Sequence, residues 1–301
     1  MDVALVRPER ASRVVLRHGT IIVCGGGCYG GYYVRQLARA VQGGALAVER
    51  VLVLDRDPTA PVARLVTALA AGDDDAAMAA LWRQRRAHER PDAPPDRDDP
   101  VLARDLAAVR ALPLVVLGGD WAHTVPAALD RAADAPAAHA ADALVPSPLM
   151  PHLVADWLAA RLARHARRQV ARAPLPAPPP TPWQRAAADG SAHYASHATW
   201  MCPINCVEPA RCPETRATRH WSMPRDAAAI VEAARALGPP IDVLALVHTT
   251  HRTHGVGMFD LAEAAAAARA VDALPADRPA RVLVGSVSHC HGAFALLETQ
   301  P

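Results

Sequence analysis

Along the first 150 residues, short apolar runs alternate with stretches of helical periodicity, the pattern of a parallel sheet covered by helices. The runs predict strands near 20–25 (TIIVCG), 50–55 (RVLVLD), 113–118 (PLVVLG) and 142–146 (DALVP). Helices are predicted near 30–42, 60–71, 101–111 and 123–134. Between them, residues 83–100 (RQRRAHERPDAPPDRDDP) hold too much charge and proline to bury anything and predict a surface loop. Residues 151–172 read as one amphipathic helix, with Leu153, Trp157, Leu158 and Leu162 on its apolar stripe. Arg161, Arg164, Arg167, Arg168 and Arg172 surround that stripe; without interleaved aromatics they predict a solvated face rather than an RNA or lipid surface. Residues 173–182 (APLPAPPPTP) predict a stiff spacer, and 183–224 form a Cys/His/Trp/Pro-rich segment with almost no periodicity. Helix 225–237, strand 241–247, helix 259–272 and strand 281–288 then resume the pattern. The simplest organisation is an α/β sheet of six strands interrupted by an insertion, with parts 1–172, 173–224 and 225–301.

At the end of the first strand, Gly25-Gly26-Gly27-Cys28-Tyr29-Gly30 fits G-x-G-x-x-G, directly before a helix, and the next strand ends at Asp55. Such a turn needs glycine for tightness, for close approach of backbone to a pyrophosphate and for close packing of helix on strand. Strand, turn, helix, strand and terminal acid together resemble the Rossmann family of NAD(P)-binding proteins, over residues 18–150 and the last 75 or so. The resemblance implies a doubly wound parallel six-stranded sheet of order 3-2-1-4-5-6. It also implies a pyrophosphate on Gly25, Gly27 and Gly30, with Asp55 on the adenosine ribose, NAD being favoured over NADP. The same arrangement resembles S-adenosylmethionine and FAD sites, and packing of helix on sheet is the structural alternative.

Charge and composition narrow the chemistry. A net charge of +2 offers no grip on nucleic acid or an acidic membrane. All 32 basic residues are arginine, so no amine exists for a Schiff base or a Walker A phosphate site, and pyridoxal phosphate enzymes and P-loop NTPases are excluded. No run of 18 apolar residues occurs, and the first 15 residues have no leader pattern, from which a cytoplasmic protein is expected. Small-molecule substrates or an electron-transfer protein are the expected partners.

Of six cysteines, Cys24 ends the first strand, and Cys28, near a helix N-terminus that stabilises thiolate, is a candidate reactive group or ligand. Cys202, Cys206 and Cys212 have the spacing C-x3-C-x5-C among prolines 203, 209 and 213. Those prolines keep the backbone out of helix, so several sulfurs can converge on a metal. Either an iron–sulfur cluster or zinc satisfies the pattern, with a fourth position for His193, His197, His220, Cys28 or an external ligand. His248, His251, His254, His289 and His291 follow the ends of the last two predicted strands, the edge at which open α/β sheets bind ligands. They are candidate ligands or acid/base groups. The leading expectation is an NAD(P)-binding oxidoreductase with a Cys-ligated metal or iron–sulfur centre. A nucleotide- and metal-binding sensor or carrier, or an S-adenosylmethionine-dependent transferase with structural zinc, are the alternatives.

Overall fold

The computed structural model describes residues 15–88, 99–148, 151–165, 169–199 and 202–300. The reading of the N-terminus, most of the 83–100 loop, and Arg167 and Arg168 lie outside the described residues. In chain order the first half runs β1 (Leu16–Cys24), α1 (Cys28–Gln42), β2 (Leu46–Asp55), α2 (Pro61–Ala71), α3 (Asp74–His88), α4 (Pro100–Arg110), β3 (Leu114–Gly118), α5 (Trp121–Asp134) and β4 (Ala143–Val145). The second half runs α6 (Leu153–His165), β5 (Gln169–Ala173), β6 (Trp183–Ala186), β7 (His193–Ser196), α7 (Met223–Leu237), β8 (Val243–His248), β9 (Thr250–His251), β10 (Gly257–Asp260), α8 (Leu261–Asp272), β11 (Ala280–Val287) and β12 (His291–Gln300).

These strands form two six-stranded mixed sheets. The first has the order β3-β2-β1-β4-β10-β9, in which β3, β2, β1 and β4 are parallel and β10 and β9 antiparallel. The second has the order β6-β7-β12-β11-β8, with β5 also paired to β12; only β8 and β11 run parallel. The expected single sheet of six parallel strands is therefore corrected. Its 3-2-1-4 half is present, but strands 241–247 and 281–288 belong to the second sheet, and the short β10 and β9 take the vacant edge. Residues 183–224 likewise contribute β6 and β7 to that second sheet. The 151–172 helix is corrected too: it ends at His165, and Gln169–Ala173 is an edge strand on β12.

Five layers result. Alternate residues of β1 face opposite ways, Ile22 and Cys24 toward one core and Ile21 and Val23 toward another, which explains an unbroken apolar run instead of alternation. On the outer side, α1–α4 pack with Val34, Leu37, Leu65, Leu81 and Leu102. Between the sheets lie α5, α6 and α8, whose Leu129, Trp157, Leu158 and Leu261 meet Leu54 and Leu144 of the first sheet and Val282 and Leu297 of the second. α7 covers the far side of the second sheet through Met223 and Ile230 against Leu283 and Phe294. The arginines beside α6 are used in pairing: Arg161 reaches Asp272 at 2.7 Å, Asp130 at 3.0 Å and Asp134 at 3.3 Å, tying α6 to α8 and α5. Arg164 meets Asp130 at 2.8 Å, and Arg172 bonds Asp156 and the Ser191 carbonyl. Among the described residues, no helix is long and apolar enough to cross a membrane.

Candidate metal centre and its cavity

The glycine turn is built as a packing device. Gly25 takes φ +96°, which L side chains avoid, and an added Cβ would meet Trp121 at 2.7 Å. A Cβ at Gly30 would sit 1.7 Å from the Gly25 carbonyl oxygen, so helix and turn are in backbone contact there. Trp121 donates its indole N–H to the Leu54 carbonyl at 2.9 Å, and Gly25 N–H reaches the same oxygen at 2.8 Å. The Asp55 carboxylate accepts from Gly26 N–H at 2.7 Å and from Asp57 N–H at 2.9 Å, so both its oxygens hold the chain that carries it. Gly27, the N-cap of α1, has no side-chain cap, and nothing stands within 4 Å of its Cβ position.

Beyond the carboxyl ends of β4, β8 and β11 lies a cleft enclosing about 1080 Å³ of empty space, part of it open to solvent. Its walls come from Tyr29 and Tyr33 of α1, Pro146–Pro148 after β4, the Cys202–Glu208 loop, Thr249 and His251, and the segments 286–288 and 290–293. Gly25, Gly27, Gly30 and Asp55 are not part of that lining. Cys202, Cys206 and Cys290 are, while Cys212 is buried behind them.

Local turns deliver each sulfur. The chain bends back at Pro203, whose carbonyl accepts from Cys206 N–H at 2.9 Å, and at Glu208, a non-glycine residue at φ +49°. A tight hairpin follows, with Cys212 N–H bonded to the Ala217 carbonyl and Arg219 N–H to the Ala210 carbonyl. Cys290 comes from the turn joining β11 to β12, where the Ser288 hydroxyl accepts from the backbone N–H groups of Cys290 and His291, both at 3.2 Å.

The sulfur of Cys202 is hydrogen-bonded to that of Cys206 and feels the charges of Cys290 and Cys212. His291 Nε2 stands 3.3 Å from Cys202 Sγ. The proton shared with Cys206, then burial, raise Cys202 far above the thiol range. The same shared proton draws Cys206 down to about 6 against the opposing effect of burial, helped by the Glu208 N–H and the charges of His251 and Arg219. Burial works against a Cys212 thiolate, but the N–H and hydroxyl of Thr215, the Glu214 N–H and the charge of Arg219 bring its pKa below the usual value. Burial raises Cys290, partly offset by hydrogen bonds from Arg219 and from Trp221 Nε1, the latter at 3.2 Å. Trp221 stacks on His197 at 5.4 Å, and His197 Nε2 is 2.6 Å from Asp226 Oδ2. Among the described residues, no group of three or more His, Cys, Asp or Glu side chains converges on a point fit for one metal ion.

The histidines divide. His251 and His291 line the cleft; His251 Nδ1 lies 3.2 Å from Glu208 Oε2, and Glu208 also accepts from His289 N–H at 3.2 Å. Burial raises the Glu208 carboxyl, but the hydrogen bond and charge of His251 and the Ser288 hydroxyl outweigh it and keep the group ionised. Burial lowers His291 to about 4, leaving a neutral imidazole. His248 donates its backbone N–H to Glu263 at 2.8 Å, and His254 sits in a turn at φ +47°; neither they nor His289 are in the cleft lining. Of the candidates for the fourth ligand position, His193 bonds Gln184 on β6, His197 is held by Asp226, His220 is exposed, and Cys28 is exposed at the start of α1. Sequence reasoning missed Cys290, Glu208, Arg219, Trp221 and the tyrosines of α1. Cys290 carried one usable signal, its place between two histidines at a strand end.

Residues 154–300 match the AF_1314_C family model, described as the C-terminal domain of an uncharacterized protein. This stretch, similar to that domain, holds the second sheet and all four cysteines of the cleft region. No curated protein and no solved structure matches the chain.

Proposed function

We propose that the protein is an oxidoreductase or electron carrier whose iron–sulfur cluster is held by Cys202, Cys206, Cys212 and Cys290. The observation that carries this reading is the grouping of four cysteines from two chain segments: Cys202 shares a hydrogen bond with Cys206 and feels Cys212 and Cys290, and Trp221 Nε1 donates to Cys290 Sγ at 3.2 Å. Donors of this kind stabilise thiolates and tune the potential of a cluster. A cluster is favoured over zinc because three of the four cysteines border an open cleft. Structural zinc sites are closed. When bound, the cluster would supply one-electron transfer at the wall of the cleft. The chain's own residues would fix the sulfurs, shield them through Trp221 and the Cys212 hairpin, and leave the Cys202 side accessible.

Anaerobic purification with an absorbance spectrum and assays for iron and acid-labile sulfide tests this. Brown protein with iron and sulfide in equal amounts, both lost in Cys290→Ser, is the expected result. Colourless protein holding one zinc would overturn it.

A nicotinamide dinucleotide on the glycine turn is the second reading, favoured by the uncapped N-terminus of α1 at Gly27. Asp55 accepts one backbone N–H on each oxygen and keeps lone pairs that can accept ribose hydroxyls. Saturable NAD binding that Asp55→Ala abolishes in folded protein would support it.

A further inference from the structure

Tyr29 and Tyr33 are one helical turn apart on α1, so their rings share a face, and both line the cleft. Pro146 and Pro148 extend that wall, and Cys202 and His291 lie in the lining contributed by the second half of the chain. The polar character of the cleft is specific. No arginine lines it among the described residues, although the chain carries 32 of them. The carboxylate present, Glu208, is already paired with His251 Nδ1 at 3.2 Å. A phosphate or carboxylate entering here would lie beside that carboxylate without a guanidinium to pair with. A flat conjugated ring would instead bury apolar area against tyrosine and proline.

We infer that the cleft binds a neutral, planar conjugated ring, the chemical class of quinones and of the flavin ring without its phosphate. The inference rests on the cluster reading only for the ring's role, since the site borders the four cysteines. Ring binding itself depends on the cleft alone.

The test compares lumiflavin, a neutral three-ring probe, with FMN, the same ring carrying a phosphate. Each is titrated into the full-length protein as isolated, with quenching of flavin fluorescence as the readout. Lumiflavin should bind saturably and at least about tenfold more tightly than FMN, a difference of roughly 1.4 kcal/mol. Tyr29→Ala and Tyr33→Ala should each weaken lumiflavin by about tenfold, while Tyr29→Phe, which keeps the ring, should not. Should the alanine variants fail to fold, Pro148→Trp, which fills the cleft from the wall away from the cysteines, should abolish binding. FMN binding as tightly as lumiflavin, or lumiflavin binding untouched by Pro148→Trp, would overturn the inference. Iron and sulfide assayed on the same samples keep the two readings apart. An intact cluster without lumiflavin binding overturns the ring site alone, and lumiflavin binding without iron overturns the cluster alone.

Discussion

The glycine turn, whose Gly25, Gly27, Gly30 and Asp55 lie outside the cleft lining, and the cysteine loop, which belongs to it, spend their polar groups in opposite ways. At the turn, both oxygens of Asp55, the indole of Trp121 and the crowded Gly25 and Gly30 are all engaged in holding backbone. At the loop, Trp221 Nε1 donates to Cys290 Sγ at 3.2 Å, and His291 Nδ1 is buried without a hydrogen-bond partner. A buried polar atom left unsatisfied costs free energy comparable to a lost hydrogen bond, so a fold keeps one where something else uses it. The contrast teaches that a motif's residues can be consumed by architecture, while a segment without periodicity, held by turns and positive φ at Glu208 and Arg216, keeps its chemistry available.

The largest expected effect tests the loop side. Cys290→Ser should remove essentially all iron and sulfide, whereas Cys28→Ser, at an exposed thiol on the turn side, should leave both unchanged. Iron retained in folded Cys290→Ser would move the fourth ligand elsewhere and blur the division between the regions.

Next in size is Gly30→Ala. Its methyl would have to occupy a point 1.7 Å from a backbone oxygen, which cannot swing away as a side chain can. Overpacking of this kind costs about 1–3 kcal/mol and occasionally more, and here the upper end is expected. Urea denaturation should report the loss. Unchanged stability would mean that helix and turn can part.

The parallel half of the first sheet was legible because its strands read as solid apolar runs, with β1 buried on both faces, and each is followed by a helix with its own apolar stripe. What the pattern could not carry was membership. Val243–His248 and Ala280–Val287 are as apolar as β1, and nothing local in them says that they pair with each other, and the latter with β12, rather than extend β4. Register and partner are set by contacts far apart in sequence, here by a hairpin through Cys290 that leads β11 into β12. The same distance hid the fourth cysteine. Cys202, Cys206 and Cys212 announce themselves by spacing, but Cys290 joins them only through the turn held by Ser288. Glu208 and Arg219 were unreadable for another reason. A carboxylate or guanidinium in a proline-rich segment looks solvated until the backbone folds it against histidine or sulfur.

Asp55→Ala should have an intermediate effect. It removes two charge-assisted backbone bonds from a partly buried turn, and about 2 kcal/mol of stability should be lost, given about 1.5–3 kcal/mol for a bond to a charged group and partial replacement by water. Iron content should not change. If stability holds while NAD affinity falls, Asp55 is a ligand of ribose rather than a brace of the turn, and the two regions are more alike than the geometry suggests.

The smallest effect is expected at Trp121→Phe. The ring stays over Gly25, so its packing on the turn is kept, and only the N–H bond to the Leu54 carbonyl at 2.9 Å is lost. That carbonyl still accepts from Gly25 N–H at 2.8 Å, so no buried acceptor is orphaned. A cost near the low end of the usual range, about 0.5 kcal/mol, follows from that remaining bond. A loss of about 2 kcal/mol or more in thermal or urea unfolding would show that the indole N–H alone sets the angle at which α5 meets the turn. The glycine side would then owe its rigidity to a side chain from outside the motif rather than to the glycines.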